Sequence, residues 1–182
     1  MGSDNSDGAD NQQERLIQLG WVIGFVDGEG CFSVSFVRQH DRAGRHGYRL
    51  GYQVAPRFIV SQGVSSVGCL EELKEFFGVG RVYGNQRHDN HREHMMQYVV
   101  SDRWALLETI VPFFEEHPLR TAKRSDFEKF VRVLDMMEDD LHLTAEGLVQ
   151  IAEITQTMNR RKPRAELIRI LRGHTPNIQG TG

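Results

Sequence analysis

The chain has 182 residues, with 22 Lys and Arg against 25 Asp and Glu, and a formal net charge of −3. Hydrophobic residues at 39% and charged residues at 26% fit one ordinary globular domain and exclude wholesale disorder. No apolar run approaches the roughly 18 residues of a membrane span. Two cysteines, Cys31 and Cys69, are too few for a disulfide framework or a four-thiolate zinc site. The acidic start Met1-Gly2-Ser3-Asp4 has no apolar signal core, so an intracellular location is expected, with no membrane and no small-molecule substrate.

Residues 1–12 are polar and rich in Gly, Ser, Asp and Asn, which predicts a disordered lead. From about Glu14 to Asp27 the apolar residues Leu16, Leu19, Val22, Ile23 and Val26, widened by Trp21 and Phe25, predict a helix apolar nearly all round, hence buried. It ends in Asp27-Gly28-Glu29-Gly30. The period then changes from 3.6 to 2. In Cys31–Gln39, Phe32, Val34 and Phe36 share one face, and Ser33, Ser35, Val37 and Gln39 the other. A Gly-containing turn at Asp41–Gly47 leads to a second strand, Tyr48–Ser61, where Val54, Phe58 and Val60 share one parity. Pro56 removes a ladder donor, which predicts an edge position or a bulge. Ser65–Phe77 reads as an amphipathic helix closed by Gly78. Strands Gly80–Gln86 and His94–Ser101 follow, then a helix capped by Asp102 over Arg103–Phe114. After Pro118 come helices at about Lys123–Met137 and Thr144–Arg160, the latter with Thr144 as N-cap.

The expected fold class is α+β in the order α-ββ-α-ββ-α followed by two more helices. A curved antiparallel sheet carries the helices on one face and leaves the other free. Residues 13–161 form the domain, and residues 162–182 read as a basic, flexible tail.

The near-neutral total hides two positive segments. Between Cys31 and Val60, Arg38, Arg42, Arg45, Arg49 and Arg57 face only Asp41, a local charge of +4. From Met158 to Gly182 the local charge is +5. Local field matters more than net charge for binding phosphate.

The carboxylates of Asp27 and Glu29 stand at a helix C-terminus, where negative charge is unwelcome. A divalent cation would stabilise them, and hard oxygen ligands suit Mg²⁺. The segment Trp21-Val22-Ile23-Gly24-Phe25-Val26-Asp27-Gly28-Glu29-Gly30-Cys31-Phe32 resembles the signature of the LAGLIDADG homing endonucleases, with Val22 to Gly30 in its nine positions. The element order, Gly78-Val79-Gly80 and Pro118-Leu119-Arg120 extend the resemblance over roughly Leu16 to Arg161. Two departures stand out: Glu29 replaces a final Asp, and Ile23 replaces a usual small Ala, so close helix approach rests on Gly24.

The resemblance implies a site-specific DNA endonuclease that hydrolyses phosphodiesters with a metal. Glu29 and the Gly28 carbonyl would hold Mg²⁺, with Mn²⁺ or Ca²⁺ able to substitute for binding. Gln62 would stand near the attacking water, and Lys123, or else Arg120, would complete the catalytic set. Only one signature occurs in the chain, which implies a homodimer with Trp21, Ile23, Gly24 and Asp27 in its interface. The outward strand residues would read double-stranded DNA: Ser33, Ser35, Val37 and Gln39; Gln53, Ala55, Arg57, Ile59 and Ser61; Arg81, Tyr83 and Asn85; Gln97 and Val99. Arg42, Arg45 and His46 at the hairpin tip would touch phosphates. Ten strand residues span about 33 Å, or about 10 bp, hence about 20 bp in two half-sites. His88, His91 and His94 lie in a polar turn without cysteine and read as loop residues rather than a zinc site. A second reading keeps the fold without cleavage, as an RNA splicing maturase or a DNA-binding regulator; retention of Glu29 and Gln62 favours cleavage.

Overall fold

A computed structural model describes residues 6–39, 50–85, 94–159 and 164–173. Helix α1 (Ser6–Glu29) leads into strands β1 (Gly30–Arg38) and β2 (Tyr52–Gly63). Helix α2 (Val67–Phe77) precedes β3 (Arg81–Asn85) and β4 (Met95–Val100). A short α3 (Arg103–Ala105) passes through a π-helical turn, Leu106–Ile110, into α4 (Val111–Glu116). Then come α5 (Lys123–Glu138), α6 (Ala145–Gln156) and α7 (Ala165–Gly173). The caps read from the sequence are present. The Ala105 N–H donates to Asp102 Oδ1 at 2.9 Å and the Gly147 N–H to Thr144 Oγ1 at 3.0 Å. Gly78 closes α2 with φ 68°.

The four strands form one antiparallel sheet in the order β1-β2-β4-β3. Alternation along each strand divides its faces. Phe32, Val34, Val54, Phe58, Val60, Tyr98 and Val100 point into the core and are buried. Phe32 is its hub, with ring centroids 5.0 Å from Phe127, 5.2 Å from Phe58, 5.5 Å from Phe130 and 5.6 Å from Phe114. These contacts bind the sheet to α4 and α5 on one face.

Pro56 lies within β2, an inner strand, yet it breaks no ladder with β4. That pairing begins only at Phe58↔Val100, so at Pro56 the strand has β1 alone beside it, through Val34. The sheet is therefore four-stranded near α1 and two-stranded farther out.

Two expectations change. Residues 6–12, expected as part of a disordered lead, belong to α1. The expected flexible tail from residue 162 contains α7, whose Ile168 and Leu171 are buried and whose Arg172 pairs with Glu153 of α6 at 2.7 Å. Its basic composition hides an apolar stripe at Leu167, Ile168 and Leu171. No helix among the described residues is long and apolar enough to cross a membrane.

Candidate active site and nucleic-acid interface

The site lies where α1 ends and β1 begins. The turn is tight: a Cβ on Gly30 would come within 2.7 Å of the Val26 carbonyl oxygen, so a side chain there would force the strand away. Val22 and Val26 anchor α1 in the core, which leaves Gly28 and Glu29 exposed.

Asp27 does not point outward with Glu29. It accepts hydrogen bonds from the Arg120 N–H at 3.0 Å, the Thr121 N–H at 3.2 Å and the Thr121 hydroxyl at 2.7 Å. Burial raises its pKa, but these bonds and the nearby Lys123 charge outweigh it and hold the carboxyl below its ordinary value. Lys123 follows at the start of α5. Its Nζ donates to the Val26 and Gly28 carbonyl oxygens, each at 3.0 Å. An ammonium on the last carbonyls of a helix satisfies orphan acceptors and opposes the dipole. Burial lowers the Lys123 pKa, with the charges of Asp27, Cys31, Glu29 and Asp126 pulling the other way. Two acids at a helix end call for a cation, and Lys123 supplies that charge beside Asp27 from within the chain. Glu29 is left exposed, with no hydrogen bond or ion pair to another described residue.

Gln62 lies on β2, two residues beyond Val60, the partner of Gly30, and opposite Met96 of β4. The Arg120 backbone binds Asp27, and its side chain is exposed. Gly28, Glu29, Lys123 and Arg120 thus gather at the end of α1. Among the described residues, no three His, Cys, Asp or Glu side chains assemble into a metal-binding group. One chain offers one free carboxylate and one backbone carbonyl.

The expected interface residues divide. A Cβ on Gly20, Gly24 or Gly28 would meet nothing within 4 Å, so this face of α1 is open. Leu16 and Ile17 continue it, 61% and 65% exposed. Trp21 instead stacks on Phe25 at 5.3 Å, and Ile23 lines a groove with His117, Pro118, Leu119 and Arg120. Asp27 is engaged within its own chain. Gly20, Gly28, Leu16 and Ile17 were missed as interface candidates, although the spacing of four between the glycines is legible in the sequence. Thr121 was missed because nothing local marks it.

The outer sheet face carries the expected strand residues side by side: Ser33↔Arg57, Ser35↔Ala55, Val37↔Gln53 and Ser61↔Gln97. Some already hydrogen-bond, Gln39 Nε2 to Gln53 Oε1 and Gln97 Nε2 to Ser61 Oγ, both at 3.0 Å. Arg57, Arg81 and Tyr83 are exposed, and Ile59 is half-buried. Asn85 closes β3 opposite Met95. Val99 is the exception. It is 5% exposed, in an inner strand between Ile59 and Arg81, and cannot meet a base edge. Arg42, Arg45 and His46, with His88 and His91, lie outside the described residues; His94 is exposed.

The LAGLIDADG endonuclease family model matches residues 22–134, from the signature helix through α5. The chain belongs to the LAGLIDADG endonuclease family. The crystal structure of the homing endonuclease I-TnaI is 42% identical with a TM-score of 0.70, over 85% of this chain and 96% of that one. The homing endonuclease I-SmaMI, solved on an uncleaved DNA target in the presence of calcium ions, is 27% identical with a TM-score of 0.70, over 90% of this chain and 53% of its own. A probable intron-encoded endonuclease 3 of Neurospora crassa is 28% identical over 134 residues, 72% of this chain and 22% of its length. The chain spans about a quarter of the length of such fungal relatives. In this LAGLIDADG chain the signature occurs once, and its last acid is Glu29.

Proposed function

We propose that two copies of this chain form a site-specific, metal-dependent DNA endonuclease, the α1 helices packing together and the two Glu29 carboxylates meeting at the centre. The carrying observation is the position of Glu29: an exposed carboxylate that no group of His, Cys, Asp or Glu among the described residues completes into a metal site, beside a helix face opened by Gly20, Gly24 and Gly28. The match in length supports it, since the chain covers nearly all of I-TnaI but about half of I-SmaMI.

The donors suit a hard divalent cation. Glu29 and the second lone pair of the Gly28 carbonyl are oxygen ligands, and Mg²⁺ is typically held by one or two carboxylates together with substrate phosphates and water. When bound, the metal would lower the pKa of water and neutralise phosphate charge. The chain's own residues do the rest. Lys123, held by Val26 and Gly28, keeps a positive charge beside the phosphate. Gln62, on β2, would orient the attacking water through its amide. The exposed Arg120 guanidinium adds charge at the same corner.

Recognition rests on the free sheet face. Arg57 has the fork geometry for guanine, and Gln53 and Gln39 the amides for adenine. Arg42, Arg45 and His46, which lie between β1 and β2 in the sequence, would contact phosphates. Double-stranded DNA of about 20 bp, in two half-sites, is the target.

Selection of a duplex from a randomised library with Mg²⁺, followed by cleavage and sedimentation assays, tests this reading. Both strands of the selected duplex should be cut, by a dimer. A protein that selects a duplex and leaves it whole is the non-cleaving alternative; a monomer at micromolar concentration overturns the two-copy site.

A further inference from the structure

β1 is an edge strand, so carbonyls along its outer side have no strand partner. Two of them are taken by side chains from the end of the molecule. Asn159 Nδ2 donates to the Phe32 carbonyl at 3.0 Å, and Arg164 Nη2 to the Val34 carbonyl at 2.8 Å. Asn159 holds φ 52°, a left-handed conformation that Asn tolerates better than most residues. Its N–H donates to Asp126 Oδ2 at 3.1 Å, one turn beyond Lys123 in α5. The Arg164 guanidinium sits 5.2 Å from the Phe36 ring centroid. Beyond it, α7 is packed on α6 through Ile168, Leu171 and the Arg172–Glu153 pair.

Arg164 is a costly way to fill this place. Its Nε is buried with no acceptor among the described residues, and an apolar side chain would avoid that penalty. What the guanidinium adds is a fixed donor on Val34 and a flat face on Phe36. Both contacts fall where the sheet has only two strands and β4 gives no support. Val34 and Phe36 alternate with Ser33, Ser35 and Val37, so the height of β1 there sets the height of its outward side chains.

On the endonuclease reading above, we infer that Asn159 and Arg164 are specificity-determining positioning residues: they hold β1 so that Ser35, Val37 and Gln39 meet the outer bases of the half-site without themselves touching DNA.

The test compares wild type, Arg164→Met and Arg164→Lys on a duplex that the wild type selects from a randomised library. Met keeps the stem over Phe36 and loses the donor; Lys restores a donor. Preference is measured at every position, with kcat, KM and thermal unfolding. Arg164→Met should lose about tenfold in discrimination at the outer positions only, with KM raised and kcat at saturating duplex unchanged. Arg164→Lys should recover part of it. An Arg164→Met profile identical to wild type overturns the inference alone. So does a uniform loss at every position that follows the melting temperature. A wild type that selects no duplex overturns the endonuclease reading and this inference with it.

Discussion

Thr121 donates both its backbone N–H and its hydroxyl to Asp27, across 94 residues of chain. With the Arg120 N–H these bonds tie the end of α1 to the start of α5, and the Lys123 Nζ bonds to the Val26 and Gly28 carbonyls close the same corner. Its folded pKa is depressed, so its contribution to stability is full above its ordinary value and is lost as pH falls through the folded one. Asp27→Asn should therefore lower the unfolding free energy near neutral pH. The gap to wild type should close in acid. Denaturant titrations over a pH series check this; a gap that does not vary with pH would show that the charge of Asp27 is immaterial.

Glu29→Gln keeps the size of the side chain and loses the charge that holds a cation. Sequence-specific binding should persist, because the reading residues lie on the strands. Cleavage should fall by at least about a thousandfold, since metal-derived stabilisation is worth several kcal/mol. Exchanging Mg²⁺ for Ca²⁺ in the unaltered protein should likewise give binding with little cutting. Gel-shift and cleavage assays on one duplex measure both; cutting at the normal rate by Glu29→Gln would remove Glu29 from the metal site.

A Cβ at Gly24 meets nothing within its own chain, so substitutions there separate folding from assembly. Gly24→Trp should leave a folded protomer with an unchanged circular dichroism spectrum, yet abolish the dimer in sedimentation and cleavage with it. Were the tryptophan variant still dimeric, the open face of α1 would not be the contact between copies.

Arg57 is exposed on the outer face, level with Ser33. Arg57→Ala should cost about 1–3 kcal/mol and relax preference at one position per half-site. Binding by the unaltered protein should weaken steeply with salt, log K falling linearly with log salt concentration. Equal weakening of Arg57→Ala on all sequences would make Arg57 a phosphate contact only.

The strands, the signature turn and the two polar caps were legible because their signals are local: period, glycine and a cap three residues ahead of its donor. The partner of Asp27 was not, since Thr121 carries no mark of a contact made by chain folding. Val99 has the parity of a reading residue, and alternation alone cannot tell that an inner strand between Ile59 and Arg81 buries it. Arg164 and α7 were read as tail because charge density outweighed a short apolar stripe. Lys123 was read as catalytic from the resemblance, but its grip on Val26 and Gly28 becomes visible only when α5 is laid against α1.

The end of the β2–β4 pairing at Phe58 divides the sheet into mechanically distinct halves. The inner half, cross-braced by four strands, is stiff and holds the corner where Glu29 lies. The outer half, Ser33–Arg38 with Tyr52–Arg57, is a two-stranded ribbon, a form that twists more strongly than a wider sheet, and Arg164 holds it at Val34 and Phe36. Changes on the ribbon are separated from the corner by distance and by this change in stiffness, and distant sites combine additively. On the proposed endonuclease reading, substitutions on the ribbon should therefore move the outer target without rebuilding the corner at Glu29, and retargeting by design has the same freedom.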